Sequence, residues 1–313
     1  MADDNIDELT SLLNSLPEIE FCCVYGSCLH KSNVDKSTMV DFILGVRDPL
    51  QWHGENLKMN RAHYASWISC FGGARLITRL ADDVGVGVHF NPYIVRDDKM
   101  FKYGVVGVNY FIQDLLKWER FYLSGRLQKP VRILVDALDL GNLNLINLRA
   151  ATAVALLLLP PKFTEDDLYA KICGLSYKGD LRMLFAEDRH KVRKIVQGQF
   201  CSFQRMYKPV LEEFKTRDLF RFSSFGGCQT SITQDCSLSS TQTLFAFLPA
   251  NVRNGAPNPS REEAGKNVEK AVRRRVMSSS ARQAVSGLLA TGVCTAAKYG
   301  ASKVYKACKS RIN

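Results

Sequence analysis

The sequence predicts an α/β domain over residues 1–140, then a smaller, mainly helical domain over 141–222 and a basic C-terminal helix within 261–313. Strand-like and helix-like segments alternate at first, the apolar pattern then becomes helical, and the last 53 residues carry most of the net charge. The remaining segment, 223–260, is rich in Ser, Gly, Asn, Thr and Pro. It is expected to form a linker or a flexible loop.

The first two strands have the clearest signals. Residues 19–25 read as a strand that ends at Gly26-Ser27, a dipeptide typical of turns. Residues 39–46 are almost wholly apolar apart from Asp41, so this strand is expected inside a sheet that is covered on both faces. A charged side chain in such a strand needs a structural or functional reason. Further strands are predicted at 86–90, 103–108 and 131–135, and helices near 2–15, 55–70, 110–122, 143–158, 165–173 and 190–214.

The positive charge is concentrated near the C-terminus. Of the net charge of +11, residues 261–313 contribute +9, because they hold 12 Lys and Arg against 3 acidic residues. The other 260 residues carry only +2, which argues against a nucleic-acid partner. Over 285–304 apolar residues recur at helical steps among cations, so this region either lies on an anionic membrane surface or packs on the protein itself. The longest apolar runs, 153–159 and 286–297, are shorter than the roughly 20 residues of a spanning helix.

Two predicted strands carry candidate residues for phosphate chemistry. The Gly26-Ser27 turn lets backbone amides and a hydroxyl approach a triphosphate, and the Asp41 carboxylate can hold the Mg²⁺ that bridges its oxygens. This layout is similar to that of the nucleotidyltransferase superfamily related to DNA polymerase β. Ile43 stands where that superfamily often has a second carboxylate. The spacing alone is weakly specific, because Gly-Ser followed by an Asp is common.

Longer motifs make the pattern specific. In chain order they are Val24-Tyr25-Gly26-Ser27, Met39-Val40-Asp41-Phe42, Trp52-His53, His63-Tyr64, Phe90-Asn91, Lys102-Tyr103-Gly104-Val105, Gly125-Arg126-Leu127-Gln128-Lys129-Pro130-Val131 and Gly179-Asp180-Leu181-Arg182-Met183. With these motifs the sequence resembles the mitochondrial phosphatidate cytidylyltransferases over about residues 20–215. It departs from that family at Ser286, where members commonly carry a lysine.

The resemblance implies a reaction and a location. The phosphate of phosphatidate attacks the α-phosphorus of CTP in the presence of Mg²⁺, which gives CDP-diacylglycerol and pyrophosphate and feeds cardiolipin and phosphatidylglycerol synthesis. The implied location is the matrix side of the mitochondrial inner membrane, with the C-terminal region attached peripherally to the anionic surface. The first five residues are acidic and unlike a mitochondrial presequence, so this address is implied by the resemblance only.

The resemblance also implies roles for individual residues. Asp41 is the expected metal ligand and a catalytic residue. The other catalytic candidates are Arg126, Lys129 and Asp180, and the candidates for contacting the nucleotide are Gly26, Ser27, Lys102, Tyr103 and Arg182. Cations are required because the triphosphate and the lipid phosphate bring several negative charges together.

Alternative interpretations remain for several of these features. Asp180 and Arg182 form either a second metal or substrate contact or an ion pair between domains. Asp114 is expected to be structural, and His53 and His63 lack a standard zinc-ligand spacing, so they are expected to be structural or substrate-orienting. Two other functions also stay open: an RNA-directed nucleotidyltransferase, which would need a basic groove, and a non-catalytic lipid-binding assembly factor with the same fold.

Overall fold

The computed structural model describes residues 12–26, 29, 39–96, 99–181, 183, 190–224, 230–253 and 259–291. These residues belong to two compact units, each of which is discontinuous in sequence. The first unit lies within 1–112, 131–141 and 281–312, and the second within 113–130 and 142–280. One division between the units falls after Gly141, beside the boundary expected after residue 140, whereas residues 113–130 join the second unit and residues from 281 onward join the first.

The first unit contains a five-stranded mixed sheet. Its strands are β1 (Phe21–Tyr25), β2 (Val40–Val46), β3 (Val88–Arg96), β4 (Lys99–Gly107) and β5 (Arg132–Asp136), in the spatial order β3-β4-β2-β1-β5. Strands β2 and β4 are parallel, and the other neighbouring pairs are antiparallel. The five predicted strands and the α/β class are confirmed.

Short helices follow the strands of the first unit. They are α1 (Pro49–Met59), a 3₁₀ turn (Arg61–His63), α2 (Ser66–Phe71), α3 (Gly73–Arg79), a π-helical turn (Leu80–Val84) and the start of α4 (Val108–Lys117). Helix α1 begins after Asp48, whose carboxylate accepts hydrogen bonds from the amides of Leu50 and Gln51 at 2.8 and 3.1 Å. The helix predicted near 55–70 is interrupted at Asn60. At this break the Asn60 side-chain amide donates hydrogen bonds to the Ser15 carbonyl and to Asn56 Oδ1.

The second unit is mainly helical and has a small sheet of its own. Its further helices are α5 (Ser124–Leu127), α6 (Leu140–Leu158), α7 (Glu165–Leu175), α8 (Lys191–Gly198), α9 (Phe200–Thr216), α10 (Leu238–Ala246) and the first two thirds of α11 (Arg261–Thr291). Strands β6 (Lys162–Thr164), β7 (Phe220–Ser224) and β8 (Thr230–Gln234) pair in the order β6-β8-β7. The segment expected to be a linker thus contains β8 and α10, because Ile232, Leu244, Leu248 and Val252 are buried in the core of this unit.

Helix α6 forms the centre of that core. Among the described residues it is the helix that is long and apolar enough to cross a membrane. However, 67% of its most apolar stretch is buried inside the protein. Residues from Leu148 to Leu157 pack against α7, α9 and α11 in one apolar cluster. Its apolar character is therefore explained by the core that it occupies.

Asp114 ends helix α4 and organises the loop that follows. Its carboxylate accepts hydrogen bonds from the backbone amides of Arg120, Phe121, Leu123 and Ser124 at 2.7 to 3.0 Å, and the side chain is buried. Trp118 takes a positive φ of 52°, so the helix stops before residue 122. The structural role predicted for Asp114 is confirmed.

Replacement of this carboxylate should destabilise the second unit. Asp114→Ala leaves four amides without their acceptor, three of them in bonds that are buried, and we expect a loss of about 3–5 kcal/mol in the free energy of unfolding. Urea denaturation followed by tryptophan fluorescence measures it, with exposed Glu212→Ala as the control. A loss below about 1 kcal/mol, the usual range of a surface substitution, would contradict this role.

Candidate active site

The end of β1 and the start of β2 place a glycine turn beside a carboxylate. Tyr25 pairs with Asp41 across the two strands. The next residue, Gly26, therefore lies beside the Asp41 side chain. Gly26 has a positive φ of 95°, and a Cβ atom built there would lie 3.2 Å from Asp41 Oδ2. Any other residue would be strained and would crowd the carboxylate. Ser27, the other predicted member of this turn, lies outside the described residues.

Lys102 lies beside Asp41 in the parallel pairing of β2 and β4. Its Nζ atom is 3.5 Å from Asp41 Oδ1, and the two side chains are 21% and 24% exposed. The same Nζ lies 4.5 Å from the centre of the Phe90 ring. A cation and a carboxylate are thus held together at a position that a polar ligand can reach.

The donor set of this position fits an ion that arrives with a triphosphate. No group of three or more His, Cys, Asp or Glu side chains suitable for holding a metal occurs in the part of the chain that the structure describes. Ile43 has a hydrocarbon side chain without a donor atom, so it offers no second ligand. Mg²⁺ is commonly held by one or two carboxylates together with substrate phosphates and water. Asp41, which is partly exposed beside an open glycine turn, meets that requirement.

A buried polar network occupies the other face of the same strands. Tyr103 follows Lys102 in β4, so its side chain points to the opposite face of the sheet. Its hydroxyl accepts a hydrogen bond from the Asn56 amide at 2.9 Å and pairs with His63 Nδ1 at 2.8 Å. Tyr103 is fully buried. This environment differs from the nucleotide contact expected for Tyr103, because its hydroxyl is already occupied inside the protein.

The network extends through Tyr64 to two further histidines. The Asn56 amide also donates to the Tyr64 hydroxyl at 2.8 Å, and His53 Nδ1 pairs with that hydroxyl at 2.9 Å. The rings of His53 and His89 meet edge to face with their centres 5.3 Å apart. His53 and His63 therefore hold tyrosine hydroxyls, which is a structural role, one of the two that were expected for them. Sequence reasoning did not foresee the network as a unit, although most of its members occur in the family motifs.

Burial keeps these imidazoles neutral. Desolvation lowers the pKa of His53 well below its usual range, with a smaller contribution from His89. Desolvation also lowers the pKa of His89 to about 4. The half-buried His63 has a lowered pKa for the same reason. A neutral imidazole can pair with a tyrosine hydroxyl through one nitrogen without placing a charge in the core.

Arg126 and Lys129 lie in the second unit. Lys129 Nζ donates to the Gly125 carbonyl at 2.5 Å and to Ser176 Oγ at 2.6 Å, and it lies 5.2 Å from the centre of the Tyr177 ring. Lys191 Nζ, which no sequence motif marks, lies 5.5 Å from the same ring. Arg126 donates to the Tyr122 hydroxyl at 3.2 Å. Two lysines on one aromatic ring make a cationic patch within this unit.

The glycine motif around Asp180 contacts helix α11 within the second unit. Gly179 has a positive φ of 94°, and a Cβ atom there would lie 2.9 Å from the Arg273 carbonyl oxygen. Asp180 is buried and accepts a hydrogen bond from Ser280 Oγ at 2.8 Å. Ser280 Oγ in turn accepts from the Leu181 amide at 3.1 Å. The close approach of Gly179 to the Arg273 backbone explains why this motif contains a glycine. Arg182, the other candidate in the motif, lies outside the described residues.

Together these features define an α/β protein whose mixed sheet holds a carboxylate and a cation beside a glycine turn. A family profile described as "Phosphatidate cytidylyltransferase, mitochondrial" matches residues 9–306. The chain belongs to this family of transferases. The resemblance seen in the motifs is therefore confirmed.

Individual relatives agree with the profile. The human mitochondrial phosphatidate cytidylyltransferase is 39% identical over 209 residues, which is 64% of this chain and 46% of the human protein. The zebrafish (Danio rerio) protein of that name is 33% identical over 319 residues, covering 94% of this chain and 93% of its own length. The rat protein is 33% identical over 331 residues, covering 97% and 95%.

The neutral histidines predict a loss of stability in acid. The unfolded chain takes up a proton near pH 6.5, whereas folded His89 resists protonation until about pH 4, so stability falls as the pH drops between these values. His89→Gln removes this group and should lower the slope of unfolding free energy against pH by about 1 kcal/mol per pH unit. Denaturant titrations between those pH values measure the slope, with exposed His190→Gln as the control. An unaltered slope in His89→Gln would contradict the burial of a neutral imidazole.

Proposed function

We propose that this chain transfers the cytidylyl group of CTP to phosphatidate and is a phosphatidate cytidylyltransferase itself. An oxygen of the phosphatidate phosphate forms a bond to the α-phosphorus of CTP, and the bond from that phosphorus to the β-phosphate oxygen breaks. CDP-diacylglycerol and pyrophosphate are the products. Family membership supports the reaction, and the observation that carries it in the structure is the Asp41 carboxylate beside the Gly26 turn and Lys102.

Each of these three residues has a distinct proposed role. Gly26 leaves room for the phosphates to approach the backbone, together with Ser27. Asp41 holds Mg²⁺, which when bound neutralises part of the triphosphate charge. Lys102 orients the Asp41 carboxylate and offers a cation to a phosphate oxygen. Such a site acts mainly by positioning the reactants and stabilising developing charge.

The second unit supplies further candidates. Lys129 is proposed to contact a substrate phosphate, because Gly125 and Ser176 hold its cationic ammonium group in a fixed position. Arg126 is proposed in the same role. Asp180, which accepts a bond from Ser280, and Arg182 remain proposed substrate contacts.

The fold is proposed to be that of the nucleotidyltransferases related to DNA polymerase β. The mixed sheet with a carboxylate near the start of an inner strand supports this assignment. A net charge of only +2 on residues 1–260 supports a lipid acceptor over a nucleic acid. The relatives are named mitochondrial, which supports that location, and we place the chain peripherally on the matrix side of the inner membrane.

The C-terminal region is proposed to attach the protein to anionic lipid. In helix α11, Arg282 donates to the carbonyls of Gly85 and Asp83, and Ser286 donates to the Leu80 carbonyl. Arg282 and Ser286 therefore pack inside the first unit, to which residues 281–291 of the helix belong. Most of the lysines expected to meet the membrane follow residue 291 and lie outside the described residues.

Removal of the Asp41 charge should abolish turnover. Asp41→Asn keeps the size of the side chain but loses the charge that holds a divalent ion, so we expect CDP-diacylglycerol formation to fall at least a hundredfold. Purified protein, phosphatidate vesicles, Mg²⁺ and labelled CTP provide the assay. Exposed Glu55→Gln serves as the matched control in the same unit. Near-normal turnover in Asp41→Asn would refute this assignment, and a wild type without turnover would favour a non-catalytic assembly factor.

Truncation after residue 291 should weaken membrane attachment without damaging the nucleotide site. It removes Lys298, Lys303, Lys306, Lys309 and Arg311, each worth about 1 kcal/mol near an anionic surface, and spares the contacts of Arg282 and Ser286. Vesicle co-sedimentation should fall at least tenfold, while CTP affinity stays unchanged. Equal losses of vesicle binding and CTP affinity would show instead that the tail completes the nucleotide site.

A further inference from the structure

Helix α2 exposes two large apolar side chains on one face. Phe71 is 84% exposed and Trp67 is 37% exposed. They are four residues apart, so they lie next to each other on the helix surface. Ile68, on the inner side, is fully buried with Ile77 and Leu80. The helix is therefore anchored from within while its aromatic side chains face outward.

The segment around this helix carries only positive charge. Residues 57–81 contain Lys58, Arg61, Arg75 and Arg79 and no Asp or Glu. All four cations are exposed, and none forms an ion pair with another described residue. The Arg61 guanidinium lies 3.7 Å from the sulfur of Cys70, the residue before Phe71. Arg61 thus lies next to the residue that precedes the exposed Phe71, and the other three cations belong to the same segment.

A second exposed apolar stripe lies on helix α11, whose Ala290 joins the same packed cluster. Val285, Leu288 and Leu289 of α11 are 49%, 47% and 41% exposed. Ala290, on the opposite side of that helix, is buried in one cluster with Ile68 of α2. One small core therefore supports both apolar faces.

We propose that residues 57–81 and the exposed stripe of α11 form a docking surface for an anionic lipid bilayer. Trp67 and Phe71 enter the interfacial layer, and the four cations pair with lipid phosphates. Tryptophan suits that layer because its ring is apolar and its N–H can stay hydrated. The inference rests on the proposed function, since phosphatidate is an anionic lipid that the protein must reach in a membrane. It adds a body surface to the attachment expected from the C-terminal tail.

The test uses the full chain and vesicles without substrate. We measure binding to phosphatidylcholine vesicles that contain phosphatidylglycerol, with no CTP and no phosphatidate present. The double variant Trp67→Ser/Phe71→Ser should bind about tenfold less tightly, which corresponds to about 1.4 kcal/mol. Leu238→Ser, which removes a 57% exposed apolar side chain from the second unit, should bind like the wild type. Arg75→Gln/Arg79→Gln should weaken binding most at low salt.

Further measurements test whether the surface binds a bilayer or a second copy of the protein. They also test whether a variant that binds less has lost docking or has lost its fold. Phe71→Trp should bind like the wild type, and the thermal unfolding midpoint of the double variant should match that of the wild type. Turnover of a dispersed short-chain phosphatidate should be unchanged in the double variant. If the double variant binds vesicles as tightly as the wild type, the proposal is overturned. If its vesicle binding is unchanged but its oligomeric state differs, the surface binds a second copy of the protein instead. Failure of the proposed reaction would be seen separately, as no turnover by the wild type on either form of phosphatidate.

Discussion

The parallel register between β2 and β4 is the constraint on which the chemistry of the first unit depends. It sets Asp41 beside Lys102 and Phe42 beside Tyr103. Because side chains alternate along a strand, the first pair faces the glycine turn and the second faces the core. A shift of β4 by one residue would turn the Lys102 ammonium group toward the core and move Tyr103 to the opposite face. The apolar packing of Phe42, Phe101 and Tyr103 thus holds the polar pair in place.

Much of this sheet could be predicted because its strands are short, apolar and bounded by turn residues. β2 and its single charged residue were recognisable from residue types alone. β3 is longer than predicted and continues to Arg96, because a bulge between Asn91 and Ile94 accommodates Pro92 and the positive φ of Tyr93. A proline normally marks the end of a strand, and only the pairing with β4 shows that this one does not.

The parts that could not be predicted depend on contacts between distant residues. β8 is rich in Ser and Thr and resembles a linker, yet it pairs with β6, which lies about 70 residues earlier. The polar network joins Asn56 to Tyr103 across 47 residues, and no local pattern encodes that contact. The candidate site itself was half predictable: Gly26 and Asp41 come from adjacent strand ends, whereas the cation–carboxylate pair needs the parallel register of β4.

The discontinuity of the first unit has a consequence for biosynthesis. As the chain emerges from the ribosome, β1 can pair with β2 early, but its other edge stays open until β5 is made, more than 100 residues later. An open strand edge can pair with a neighbouring chain, and non-local pairing is slow. Helix α11 contributes to this unit later still, through residues 281–291. The nascent protein therefore carries an unfinished sheet until β5 is made, and chaperones that shield strand edges would act on it during that interval.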